Sequence, residues 1–127
     1  MKRMLIGMGV ALVLLPALFW VIFMALMSVW MTPEHSTTVI VDIPNTENQL
    51  CLDEYAEFRG GYFDIYLRVP GRKDRLLDRG DFNEPFCPIR GGEYEIEFEA
   101  NTATLYYPFS AGSDREDWVD ISLDLTP

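Results

Sequence analysis

No charged residue occurs between Arg3 and Glu34. Within that run, Leu5 to Met31 is 27 residues whose only members outside the apolar class are glycine, proline and serine. A helix of that length rises about 40 Å at about 1.5 Å per residue, and the hydrocarbon core of a bilayer is about 30 Å thick. The run therefore predicts a transmembrane helix over 5–31. Residues 1–4 precede it, a linker follows at 32–36, and a separate domain occupies 37–127.

A cleaved signal peptide would share the basic start at Lys2 and Arg3, but its apolar core is normally about 7–15 residues. Nor are small residues paired at the spacing a signal peptidase reads. Ala25 is followed two residues later by Met27, and Ser28 is preceded two residues earlier by Leu26. An uncleaved anchor is the expectation. Lys2 and Arg3 should keep the short N-terminus cytoplasmic, because positive residues beside a span are retained there. The C-terminal domain is then expected outside the cytoplasm. Two features of the span go beyond anchoring: Gly7 and Ala11 have the spacing that lets a second helix approach closely, and Pro16 removes a backbone donor inside the helix.

All twenty Asp and Glu and eight of the ten Lys and Arg lie beyond the apolar run, so the outer domain carries a net charge of −12. Such a surface repels phosphate backbones and anionic headgroups, which argues against a nucleic-acid partner. It suits either simple solubility or a basic protein partner. The domain has about the common size for a single core.

The two cysteines, Cys51 and Cys87, form no C-x-x-C pair, which leaves zinc ligation and thiol exchange without support. In an oxidising compartment an even pair is expected to bridge. A Cys51–Cys87 disulfide would stabilise the domain by about 4 kcal/mol in the chain-entropy model.

Beyond Thr32 the hydrophobic period is two. Phe63, Ile65, Leu67 and Val69 alternate with Tyr62, Asp64, Tyr66 and Arg68; the run 93–99 and the run 118–125 alternate likewise. That pattern predicts antiparallel strands with one face packed and one wet. Further strands are expected at 37–43, 48–52, 75–79 and 102–107, with turns at 44–48, 59–61, 70–74, 90–92 and 110–114. Residues 53–58, DEYAEF, suggest a helical turn. The predicted fold is mainly β: the transmembrane helix followed by a small antiparallel β-sandwich or open barrel of six or seven strands. The Cys–Trp–Cys pattern of antibody domains is missing, since no tryptophan lies between the cysteines.

Catalytic chemistry finds little support. His35 is the single histidine, so no HExxH site exists, and no GxSxG, P-loop or dinucleotide-binding glycine pattern occurs. His35 itself is expected in the linker, solvated. Asp114, Glu116, Asp117 and Asp120 approach the oxygen count for calcium, but their spacing is not that of a calcium loop. No catalytic residue, metal or cofactor is therefore assigned.

The candidates for partner binding are Tyr62, Tyr66 and Arg68 on one strand and Glu93, Glu95, Glu97 and Glu99 on another. Tyr and Arg are enriched at binding hot spots. The glutamates would repel mildly along their strand, and a neighbouring strand bearing Arg68–Arg79 would make both clusters structural. The reading that follows is a single-pass protein of a bacterial inner membrane whose periplasmic domain binds a protein, for instance as an immunity-type inhibitor of a basic toxin. The alternative is an accessory subunit of an envelope complex, assembled partly through Gly7, Ala11 and Pro16.

Overall fold

A computed structural model describes residues 2–83 and 86–127, with side chains at 9–29, 32–83 and 86–127. The chain divides into two compact units, one ending at Thr32 and the other comprising Pro33–Pro127.

In the first unit, α1 spans Lys2–Met31 with Pro16 inside it. Gly9–Val29 is long and apolar enough to cross a membrane, and its side chains are exposed. An apolar helix with no buried stripe has no core of its own to serve, so lipid is the solvent that suits it. A signal sequence passes the same test of length and composition. Ala11 is exposed within this helix, whereas Gly7, the other half of the small-residue spacing, lies outside the residues whose side chains are described.

The second unit is all β. Strands β1 (Glu34–Asp42), β2 (Gln49–Glu57), β3 (Gly60–Arg68) and β4 (Arg75–Phe82) form an antiparallel meander in the order β1-β2-β3-β4. Strands β5 (Glu95–Glu99), β6 (Thr102–Tyr107) and β7 (Val119–Asp124) form a second meander in the order β5-β6-β7, with a single 3-10 turn at Arg115–Asp117 between the last two. The inward positions of both sheets supply one core. Leu50, Leu52, Phe63, Ile65 and Leu67 come from the first sheet, Ala103, Leu105, Tyr107 and Leu123 from the second, all buried. Two antiparallel sheets of four and three strands agree with the expected sandwich or open barrel of six or seven strands.

Two cross-strand pairs show how tightly the first sheet packs. Phe63 lies opposite Gly80 and Phe82 close to Gly61, and in each case the ring occupies the space a β-carbon would need. A side chain at either glycine would have to push an aromatic ring out of the core. The two sheets are joined where Tyr107 meets β4. Its ring packs edge-on against Phe63 at 4.8 Å, and its hydroxyl donates to the Asp81 carbonyl at 2.8 Å.

Several expectations are corrected. Residues 53–58 are not a helical turn: β2 continues to Glu57, and Asp53, Glu54 and Tyr55 pair with Asp64, Phe63 and Tyr62. The pattern misleads there because Glu54 occupies an inward position. Its carboxylate is fully buried and accepts hydrogen bonds from the backbone N–H groups of Ile89 (2.7 Å) and Arg90 (3.1 Å), so it pins the 88–92 turn beneath the sheet. The strand β1 also takes up Glu34 to Ser36, which the sequence assigns to a linker.

The Cys51–Cys87 disulfide is not formed; both are free thiols. The alternation of β2 is the reason. Leu50 and Leu52 point into the core, so Cys51 between them faces the other side of the sheet, where its sulfur lies 3.9 Å from Arg68 Nη2. Cys87 packs against the core, on the opposite side. A bridge would have to pass through the sheet.

Candidate functional site

The outer face of the first sheet is a lattice set by its register. One row across the strands reads His35, Tyr55, Tyr62, Asp81; the next Thr38, Asp53, Asp64, Arg79; the next Ile40, Cys51, Tyr66, Leu76. Asp42, Gln49 and Arg68 follow, with Asp74 beside them. Alternation alone puts these residues together.

Its side chains hold one another. Arg79 forks onto Asp64, with Nε donating at 2.6 Å and Nη2 at 3.3 Å, while its guanidinium lies 4.2 Å from the Tyr62 ring centre. Tyr62 stacks on Tyr55 at 5.1 Å, and His35 meets Tyr55 edge-on at 5.4 Å. His35 Nε2 lies 2.8 Å from Thr38 Oγ1 and 3.2 Å from Asp53 Oδ1, and Thr38 donates to the same Asp53 oxygen. His35 is thus part of this lattice rather than a solvated linker residue. Arg68 donates to Asp74 through Nε and Nη2 (3.1 and 2.9 Å).

These contacts set the electrostatics. The Arg68 hydrogen bond holds the Asp74 carboxyl below the usual range, and the Asp64 hydrogen bond raises Arg79. Partial burial, reinforced by Asp53 for Tyr55 and by Asp64 for Tyr66, pushes both phenols up, so they stay neutral donors. Burial raises the Cys51 thiol as well, with Asp53 adding to it against Arg68, which makes it a poor nucleophile. Around this fixed centre Ile40 and Leu76 remain 50% and 52% exposed, one at each margin.

The outer face of the second sheet is different in kind. Glu95, Glu97 and Glu99 on β5 lie across from Tyr106, Thr104 and Thr102, which in turn face Asp120, Ser122 and Asp124 on β7. Arg115 donates to Glu95 through Nε and Nη2 (3.0 and 2.8 Å) and lies over the rings of Tyr106 and Trp118. Tyr106 Oη is 3.3 Å from Glu97 Oε2. Among the described residues no Lys or Arg forms an ion pair with Glu97, Glu99, Asp120 or Asp124. Glu93 precedes β5 and its backbone N–H donates to the Pro88 carbonyl, so the row of glutamates begins at Glu95.

The structure therefore separates the two groups of sequence candidates. Tyr62, Tyr66 and Arg68 share one face; Glu95, Glu97 and Glu99 share a face of the other sheet. The arginines of β3 and β4 do not offset the glutamates, because among the described residues β5 pairs with β6 alone, and Arg68 and Arg79 have their own aspartates. Sequence reasoning missed Tyr55, Asp64 and Arg79 as members of the first lattice. The alternation of 61–69 carried a signal for Asp64, but the partners of Tyr62 depend on strand order. Among the described residues no group of three His, Cys, Asp or Glu side chains converges as a metal site would require. The acidic residues from Asp114 to Asp120 surround the 3-10 turn without doing so. No family model, curated protein or solved structure matches this chain.

Proposed function

We propose that this chain is a membrane-anchored protein-binding domain, held by α1 in a bacterial inner membrane with the β-sandwich on the periplasmic side, where it captures a basic protein. An immunity-type inhibitor of a basic toxin arriving from outside the cell is the concrete form of this reading. The observation that carries it is the Arg79–Tyr62–Tyr55 stack locked by Asp64, flanked by exposed Ile40 and Leu76. Aromatic and arginine side chains already fixed in one conformation lose little entropy when a partner docks, which is how hot spots gain affinity. The charge of −12 would draw a basic partner in by electrostatic steering. The orientation rests on Lys2 and Arg3 alone, since the free thiols of Cys51 and Cys87 give no support for an oxidising compartment.

The test begins with the full-length chain cross-linked in its native membrane to identify the partner. Association is then followed with the chain in lipid nanodiscs at about 50 and 300 mM salt. The on-rate is expected to fall at least about tenfold over that range, and an on-rate indifferent to salt would sink the reading. Replacing Leu5–Met31 with an unrelated apolar helix should leave capture intact. Loss of capture on that swap would instead favour an accessory subunit assembled through the helix.

A further inference from the structure

The margins of the two sheets are not protected alike. A bare strand edge is a template for another chain, and proteins blunt it with charge, cover or bulges. β4 and the residue after it are met by β6 and by the segments that follow β6 and β7: Tyr107 donates to the Asp81 carbonyl, Asn83 to the Phe109 carbonyl, and Arg75 to the Thr126 carbonyl. β5 places a glutamate at every outward position, and β7 carries Asp120 and Asp124 on its outward side. β1 has neither device along most of its length. Thr37, Thr38, Val39, Ile40 and Val41 are five consecutive uncharged β-branched residues, the type that favours an extended backbone. The register with β2 slips once, between His35 and Thr37, and is regular from there to Asp42. Among the described residues β1 pairs with β2 only. Ser36, at the slip, carries the one buried side-chain polar atom without a hydrogen-bond partner among the described residues.

From these observations we infer that β1 is a docking edge that takes an extended segment of a basic partner as an added antiparallel strand. The inference rests on the protein-binding reading above and specifies its geometry. Main-chain bonds to Thr37–Asp42 would supply affinity, and side chains of alternate residues would supply specificity. Charge selects the occupant. Glu34 and Asp42 bracket the neutral stretch, so a segment of about six alternating β-branched residues with Lys or Arg at its ends has a carboxylate to meet at each end. A second copy of this chain would bring its own −12 charge, and a twofold register centred on Thr38 would set Glu34 against Asp42. An added strand would also continue the row Ile40–Cys51–Tyr66–Leu76 beyond its present margin.

Selection from a display library of random twelve-residue peptides on the full-length chain in neutral phosphatidylcholine nanodiscs tests the inference. The expected binders alternate β-branched residues and end in Lys or Arg. N-methylation of their backbone, one residue at a time, should weaken binding at least about tenfold at alternate positions and less than about twofold between them, since only alternate N–H groups face β1. Ile40→Lys, which charges the exposed edge without touching the core, should weaken the same peptides at least about tenfold. Circular dichroism verifies that the variant remains folded. A library without binders, N-methyl effects lacking alternation, or indifference to Ile40→Lys would each overturn the inference, as would sedimentation showing a dimer that the peptides dissociate. Tyr62→Ala distinguishes the two levels. Binding lost on Tyr62→Ala but not on Ile40→Lys removes the edge and keeps the face; binding indifferent to both removes the two readings together.

Discussion

On the outer face of β1–β4, Arg68 and Arg79 each have an aspartate within hydrogen-bond distance; on that of β5–β7, among the described residues, Arg115–Glu95 is the one ion pair, and Glu97, Glu99, Asp120 and Asp124 have none. Both faces alternate with the same core, and both carry aromatic rings beneath a guanidinium. What differs is how many carboxylates meet a guanidinium among the described residues: Asp64 and Asp74 on the first face, Glu95 on the second. Neutralised charges at short distance fix side chains in place and act within a few ångströms. Carboxylates without a cationic partner act across about a Debye length, near 8 Å at physiological salt. The first arrangement is suited to holding a docked surface, the second to drawing one in. A slow dissociation rate should belong to one sheet and a fast association rate to the other.

The largest effect is expected in the interior the two faces share. Glu54→Ala removes the acceptor for two buried backbone N–H groups and should cost about 3 kcal/mol, read as a lowered urea midpoint. Both binding rates should deteriorate together, because the 88–92 turn and β5 behind it lose their anchor. An unchanged midpoint would mean that the turn is held by other contacts.

Asp64→Ala against Glu97→Ala is the sharper comparison. Losing Asp64 frees Arg79 and the Tyr62 stack, and should raise the partner's dissociation rate about tenfold with little change in association. Losing Glu97 should lower association at low salt and leave dissociation within about twofold. The reverse assignment of rates would dissolve the distinction between the faces.

The smallest effect concerns the seam. Burial pushes the Tyr107 phenol up to about 12, above an unfolded value of about 10. The folded state thus favours the neutral phenol, a contribution present in full below pH 10 and lost as pH rises from 10 to 12. Tyr107→Phe should cost about 1 kcal/mol at neutral pH through the lost bond to Asp81. Its melting temperature should then fall less steeply than that of the parent chain between pH 10 and 12. Parallel profiles would show that the phenol is not the group that titrates there.

Much of this architecture was legible beforehand, and its exceptions have physical causes. The alternation at 61–69 identified β3 because each inward residue is plainly apolar. The sequence pattern ends β2 early because Glu54 holds an inward position, and a carboxylate is tolerated there only through backbone donors that arrive from 35 residues away. The count and spacing of Cys51 and Cys87 suggest a bridge that the fold does not make, because neither carries any sense of which face each side chain takes. Alternation puts Tyr62, Tyr66 and Arg68 on one face, yet the contacts of Tyr62 with Tyr55 and Arg79 depend on which strands are neighbours.

The linear chain settles whatever depends on local periodicity and on charge: an apolar helix long enough for a bilayer, strands with a wet side, and an acidic C-terminal domain. Folding in three dimensions decided which charges meet, since ion pairs and stacks form across strand neighbours far apart along the backbone. It thereby gave one sheet a locked aromatic face, the other an open acidic one, and left β1 as the end strand of its sheet.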